Sequence, residues 1–518
     1  MVVKAGIWSS GPLDVELPRR FSDLPLAWAT RRPRAAAVRQ GDRVWSYGEL
    51  ADLVAAMAQR LSAEGFVAGD RVLVVAENAV AVVVLLLACS RLDLWAVIVN
   101  ARLSTREIEV IAEHSRPRGI FFTAGLSREA AAHAAHYAAT EFVLADLEGL
   151  WVHRPQRCGR PEPVLPGNDQ VGAMIYTSGT TGAPKGVMLT HKGMNFVSMV
   201  SGRYRGFSPD DTVYGVLPVA HVFGLVSMCL GCLTSGACLW LTPRFDPKAL
   251  LAAIMADEVT VFQGVPAMYA KLLECAERDH LNLRNTALRY LSAGGSPLDL
   301  DLKQRVEAAF GLTLNNGYGL TECAPTVSQT RPENPTTGTS TGPLLPGLEA
   351  KLMDGAGQLV DRCDQPGELW IRGPNVMKGY YRAAEKTAEV LDSDGWYNTG
   401  DMALFDAAEN LELVGRSKEI IIRSGFNVYP EEVEGVLAAH PAVTLAGVVG
   451  RKVTGNEEVL AFVQLAPGQA VDEADLMAWV AERVAAYKRP VSIQILAELP
   501  ASSTGKIQKT KLRELAGS

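Results

Sequence analysis

The stretch Tyr176-Thr-Ser-Gly-Thr-Thr-Gly-Ala-Pro-Lys-Gly186 packs four aliphatic hydroxyls, three glycines and one lysine into eleven residues. Glycine tolerates φ > 0 and lets backbone N–H groups approach a ligand closely. A run of such N–H groups forms a concave anion site. The hydroxyls of Thr177, Ser178, Thr180 and Thr181 add donors, and Lys185 adds a mobile positive charge. Together these groups suit the phosphates of a nucleotide. The run is not a Walker loop, because that motif needs Gly-Lys-Ser/Thr and Lys185 is followed by Gly186. A polar surface turn is the plain alternative, since ordinary loops are also rich in Gly, Ser and Thr. Apolar residues 171–176 before it and the run Val187-Met-Leu-Thr-His191 after it frame it as a loop between ordered elements.

This stretch resembles the phosphate-loop signature of the adenylate-forming enzymes: acyl-CoA synthetases, aryl-CoA ligases, firefly luciferase and peptide-synthetase adenylation domains. The resemblance implies that Thr177, Ser178, Gly179, Thr180, Thr181, Gly182 and Lys185 bind ATP, with Thr177 also near Mg²⁺. Four further motifs follow in the family's order. In Asn315-Asn-Gly-Tyr-Gly-Leu-Thr-Glu322 the glycines bare the Tyr318 ring, a good surface for a purine. Thr321 can donate to phosphate, and Glu322 is a hard oxygen ligand of the kind Mg²⁺ prefers. The family uses Asn316, Gly317, Tyr318 and Gly319 around the adenine, and Thr321 and Glu322 in catalysis. In Gly395-Trp-Tyr-Asn-Thr-Gly-Asp401 the aspartate matches the ribose ligand. In Gly415-Arg-Ser-Lys418 the matches are Arg416, for the ribose and phosphate region, and Lys418, the hinge. Ser424 and Gly425 would let the CoA thiol chain pass. In Thr504-Gly-Lys506 the match is the catalytic lysine.

The acyl pocket is expected from three segments. Leu217-Pro-Val-Ala-His-Val-Phe-Gly224 supplies His221, counted also as catalytic, and Phe223, with Ser227 close behind. Ala220 stands where the family often has an aromatic, which alters the pocket wall. Gly294 and Gly295 either floor the slot or form a plain β-turn. Pro325 and Thr326 complete the wall. No basic residue in these segments could pair a second carboxylate, and no aspartate could anchor an ammonium group, so a fatty or aromatic monocarboxylate is expected.

The remaining chain narrows the class. Its 518 residues suffice for several domains. A net charge of −7 gives no general surface for nucleic acid or membrane. Eight cysteines, irregularly spread, read as reduced thiols of a cytoplasmic protein. Cys229-x-x-Cys232 has the spacing of a redox or zinc pair, but its apolar surroundings and the lack of a second pair favour core thiols. No signal peptide is visible in residues 1–12. The longest apolar run, 79–89, has eleven residues against the roughly 20 that a spanning helix needs. It reads as a buried helix. Lys509 and Lys511 read as solvated charges, as does the pair Lys488 and Arg489.

Residues 71–76, 97–100 and 119–122 read as strands alternating with helices, which argues for parallel βαβ layering. The expected fold is α/β: a large multi-layer N-terminal domain, 1–416, with parallel βαβ sheets, and a small mobile α+β C-terminal domain, 417–518. The expected activity is ATP-dependent acyl-CoA synthesis, with ATP, Mg²⁺, CoA and a small carboxylic acid as ligands. Twelve residues follow Lys506, so an adenylate ligase serving a separate carrier protein is the alternative. A homodimer is left open.

Overall fold

The computed structural model describes the chain apart from residues 1, 5, 145–146, 178–183, 417–418, 424–425, 454–455, 485, 502–506 and 518. For 2–4, 416, 422, 426–427, 456 and 487 it describes the backbone alone.

Helix starts follow local chemistry. Ser46 accepts from the Glu49 N–H while Glu49 reaches back to the Ser46 N–H, closing a capping box that opens helix Tyr47–Ala63. Its Leu50, Leu53, Val54, Met57 and Leu61 recur at helical spacing and are buried. Helix Val80–Arg91 is buried from Val80 to Ser90, as its apolar run predicts. Among the described residues no helix is long and apolar enough to cross a membrane.

Three large sheets precede residue 417. The first has the spatial order Gly379–Tyr380, Lys185–Thr190, Val171–Thr177, Trp95–Asn100, Arg71–Ala76, Gly119–Phe122, Trp151–His153, Thr140–Glu141. Its centre is parallel. Arg71–Ala76 is buried along its whole length, as a strand covered on both faces must be. The second runs Thr326–Gln329, Leu314–Gly319, Tyr290–Ala293, Val261–Gly264, Thr212–Gly215, Cys238–Leu241, Ala36–Gln40, Arg43–Ser46. It is parallel from Leu314–Gly319 to Ala36–Gln40. The βαβ reading holds for these two. It did not include the third, an antiparallel sheet containing Glu349–Met353, Gly367–Arg372, Tyr397–Phe405 and Leu411–Arg416. Tyr397–Phe405 alternates buried and half-exposed residues, the pattern of a sheet with one wet face.

The C-terminal part is a smaller α+β unit. Strands Val443–Val453, Asn456–Leu465 and Ser492–Leu496 form its main sheet. Helix Pro430–Ala438 starts with proline at its first turn, followed by Glu431 and Glu432, as expected.

Lys509 corrects the sequence reading. It is not a solvated charge. Its side chain is 13% exposed, and its Nζ lies 2.9 Å from Glu419, 3.0 Å from Glu434 and 3.6 Å from Glu431. Glu434 also accepts the Val448 N–H at 2.7 Å. Burial pushes the carboxyls of Glu431 and Glu434 above their usual range, and Lys509 opposes that shift. Removing one partner of a buried ion pair typically costs about 3–5 kcal/mol. Lys509→Met is therefore expected to destabilise this unit by about that much at pH 7.5, read in a urea melt. Carboxyls with raised folded-state pKa values take up protons on folding as pH falls, so stability lost at high pH returns at low pH. The penalty should shrink at pH 5.5, and an unchanged melt at pH 7.5 would refute the role.

Candidate functional site

In open sheets with parallel strands, ligands collect beyond the carboxyl ends of the strands. Here those ends carry Gly264, Ala293 and Gly319 in the second sheet. In the first sheet Val171–Thr177 ends at the glycine- and hydroxyl-rich stretch. That strand pairs antiparallel with Lys185–Thr190, and Thr177 sits opposite Lys185. The ordered elements on either side of the predicted loop are therefore paired strands, with Thr177 and Lys185 at the open end of the pair. Ser178, Gly179, Thr180, Thr181 and Gly182 lie outside the described residues.

The second motif occupies strand Leu314–Gly319 and the short turn Thr321–Cys323. The Tyr318 hydroxyl donates to Asp401 Oδ2 at 2.5 Å. Burial and the neighbouring Asp401 charge push the Tyr318 phenol far up, so it stays a donor. Two residues predicted for one nucleotide, 83 positions apart, thus meet directly. Asp401 also lies opposite Arg416 in the antiparallel register. Asn316 is buried, and its Nδ2 donates to the Thr339 carbonyl at 2.7 Å. It braces the segment beside Tyr318. Gly317 and Gly319 flank the ring, with Gly317 opposite Gln329 in the strand pair. Thr321 is buried at the start of its turn.

Glu322 is half-buried. Its Oε1 accepts the Tyr380 hydroxyl at 2.9 Å, and its carbonyl accepts the Met377 N–H at 2.8 Å. Lys185 Nζ stands 4.7 Å from the centroid of the same tyrosine ring. Tyr397, from the aspartate motif, lies close to Tyr380 and Glu322, and burial with the Glu322 charge raises its phenol steeply. Sequence reading missed Tyr380, which carries no motif signal of its own.

The acyl segments also converge. Phe223 opens a π-helix, Phe223–Leu230, a rare geometry that recurs at functional sites. A Cβ on Gly294 would stand 3.2 Å from the Phe223 ring, so the missing side chain lets that ring close over the strand end. Gly295 differs. It is exposed, with φ +79°, and a Cβ there would touch only Val265 at 3.7 Å. Its glycine serves the backbone turn, and Gly294 is the position that faces Phe223. Ser227 Oγ lies 3.2 Å from Thr326 Oγ1, both buried, beside buried Pro325. His221 is exposed, and its Nδ1 accepts the Phe223 N–H at 3.3 Å, which turns the chain into the π-helix.

Two buried polar residues near these segments lay outside the sequence reading. Arg205 is buried and donates to the Ser227 carbonyl at 3.0 Å. Gln263 is fully buried, and neither its amide nitrogen nor its oxygen has a partner among the described residues. Gln263 pairs with Ser292, two residues before Gly294, so all three share the sheet face turned toward Phe223. Cys229 and Cys232 are buried free thiols, Cys229 pushed up to about 12 by burial. The core-thiol reading stands. Lys418, Ser424, Gly425 and Lys506 lie outside the described residues.

Comparison with known proteins follows this geometry. A family described as AMP-binding enzyme matches residues 26–381, and its C-terminal domain matches 432–506. A feruloyl-CoA synthase of an Amycolatopsis species is 35% identical, covering 95% of this chain and 99% of that protein. A Mycobacterium tuberculosis 3-[(3aS,4S,7aS)-7a-methyl-1,5-dioxo-octahydro-1H-inden-4-yl]propanoyl:CoA ligase is 33% identical, covering 93% and 96%. The solved o-succinylbenzoate CoA synthetase of Bacillus subtilis, with ATP and magnesium, superposes with a TM-score of 0.81 at 28% identity, covering 95% and 99%. With both halves matched and its motif residues meeting at the strand ends, the chain belongs to the adenylate-forming AMP-binding enzyme family.

Proposed function

We propose that the chain is an ATP-dependent acyl-CoA synthetase acting on a monocarboxylic acid. The observation that carries this reading is the meeting of Tyr318 with Asp401 beside the Lys185–Tyr380–Glu322 group. One end of this array suits a nucleoside and the other its phosphates. A carboxylate oxygen attacks the α-phosphorus of ATP, and pyrophosphate leaves. The CoA thiolate then attacks the acyl carbon, and AMP leaves. The chain's part in the first step is charge stabilisation on a crowded phosphate. Asp401 accepts the ribose hydroxyls, Tyr318 offers its ring to the purine, and Lys185 holds the terminal phosphates.

The donor set fits magnesium. No group of three His, Cys, Asp or Glu forms a metal cage among the described residues. A single half-buried carboxylate beside a phosphate site is how Mg²⁺ is usually held. Glu322 and Thr177 would hold it, and when bound it neutralises phosphate charge. CoA is favoured as acceptor because both curated relatives above are named for CoA thioesters. Residues 417–518 would form the moving domain, turning about Lys418, with Ser424 and Gly425 along the thiol path. Lys506 would bridge the carboxylate and the α-phosphate. Free thiols in all eight cysteines suit a reducing cytoplasm.

The acid is read from Gln263. A buried amide without partners costs roughly 1–3 kcal/mol, which a hydrogen-bonding ligand would recover. We infer an acid carrying a hydroxyl or keto oxygen at the end remote from its carboxylate. The oxo groups in the name of the mycobacterial relative agree.

Two measurements check these points. Lys506→Ala is expected to cut ATP–pyrophosphate exchange ~100–1,000-fold, while thioester formation from supplied acyl-adenylate and CoA survives. An equal loss in both half-reactions would contradict the role of Lys506, and release of AMP without dependence on CoA would point to a carrier protein. In exchange assays of 4-hydroxycinnamate against cinnamate, the native enzyme should prefer the hydroxylated acid. Gln263→Leu should shrink that preference roughly 10- to 100-fold, the worth of an unmet buried amide, without lowering the melting temperature. Equal rates for both acids in the native enzyme would defeat the assignment.

A further inference from the structure

Tyr380 belongs to none of the motifs, yet it touches two of them. It sits on the short strand Gly379–Tyr380, antiparallel to Lys185–Thr190, with Tyr380 opposite Val187. The residue is 5% exposed. Its N–H donates to Thr387 Oγ1 at 2.9 Å, and that hydroxyl donates to the Ala383 carbonyl at 2.9 Å. Gly379 lets the strand come this close, because a Cβ there would stand 2.9 Å from Thr387 Cγ2. The backbone on either side is pinned as well. Lys378 N–H donates to the Met188 carbonyl at 3.0 Å, and Tyr381 N–H donates to the Gly186 carbonyl at 2.8 Å.

The side chain so held has two working ends. Its ring lies 4.7 Å from Lys185 Nζ, within cation–π range. Its hydroxyl donates to Glu322 Oε1 at 2.9 Å. A tyrosine that only filled the core would need one acceptor and no cation. This one joins an ammonium at the open end of the strand pair to a carboxylate that comes from another sheet.

We propose that Tyr380 is a positioning residue that sets Lys185 and Glu322 in register to receive a metal–triphosphate group. The ring orients the lysine and the hydroxyl orients the carboxylate. The inference rests on the reading of Glu322 as the metal ligand. Partners that orient a metal ligand typically change metal affinity 10- to 100-fold when removed.

The test uses full-length enzyme, α,β-methylene-ATP and Mn²⁺, with bound Mn²⁺ read by electron paramagnetic resonance. Tyr380→Phe keeps the ring and removes the hydroxyl. It should weaken Mn²⁺ binding to the enzyme–analogue complex about 10- to 100-fold, with metal-free analogue affinity unchanged by calorimetry. Tyr380→Leu should weaken metal-free analogue binding as well, because Lys185 loses its ring. Should Tyr380→Phe melt early, Thr387→Val loosens only the Tyr380 backbone and should shift Mn²⁺ affinity in the same direction. Native Mn²⁺ affinity in a well-folded Tyr380→Phe, with Glu322→Gln impaired, overturns the positioning role and leaves the metal reading intact. Native Mn²⁺ affinity in Glu322→Gln overturns the metal reading and the inference with it.

Discussion

Strand Lys185–Thr190 is hydrogen-bonded on both edges, to Val171–Thr177 on one side and Gly379–Tyr380 on the other. That double pairing governs much of the site. It puts Lys185 at the open end of the strand pair and the Tyr380 ring beneath its ammonium group. Because the hydrogen bonds fix the register, and a slip by one residue would turn every side chain to the other face, the contact cannot drift. Glu322 is carried in by the separate sheet that contains Leu314–Gly319. The Met377 N–H and the Tyr380 hydroxyl hold it there.

The segments proposed to line the acyl site show a different use of backbone. Phe223 closes over Gly294 because a π-helix begins there and because the strand end lacks a side chain. Beneath that contact the sheet face is polar where a core would be apolar. Ser227 and Thr326 hold each other's hydroxyls, and Arg205 is spent on a carbonyl. Gln263 and the hydroxyl of its strand partner Ser292 are left without hydrogen-bond partners among the described residues. An unmet buried amide is a cost to the fold unless a ligand or water meets it.

The C-terminal unit carries its own polar centre. Lys509 gathers Glu431 and Glu434 from helix Pro430–Ala438 and Glu419 from the segment before it. Glu419 directly follows the proposed hinge, and Lys509 lies three positions beyond Lys506. All members of this buried charge group belong to the C-terminal unit, so the group ties that unit's own segments together. Glu431 also reaches Gly415 on the large unit's last strand, where a Cβ would stand 2.7 Å from its carboxylate. The two units therefore touch close to the proposed hinge position.

Much of this was legible in sequence because it is local. Ser46 and Glu49 are three residues apart, so their capping box is written in the chain. The same holds for the buried helix Val80–Arg91 and the strand Arg71–Ala76, whose composition admits no wet face. The motif residues Lys185, Tyr318, Glu322 and Asp401 were legible through resemblance, each within a glycine-containing motif. Tertiary structure alone decided what depends on distant partners. Lys509 looks like any surface lysine until glutamates 75 to 90 positions earlier fold around it. Tyr380 gains meaning only when Lys185 and Glu322 arrive from other strands. Two adjacent glycines, 294 and 295, are alike in sequence, yet one faces a phenyl ring and the other serves a left-handed turn. Backbone dihedrals and cross-strand neighbours separate them, and neither is encoded in a residue's own chemistry.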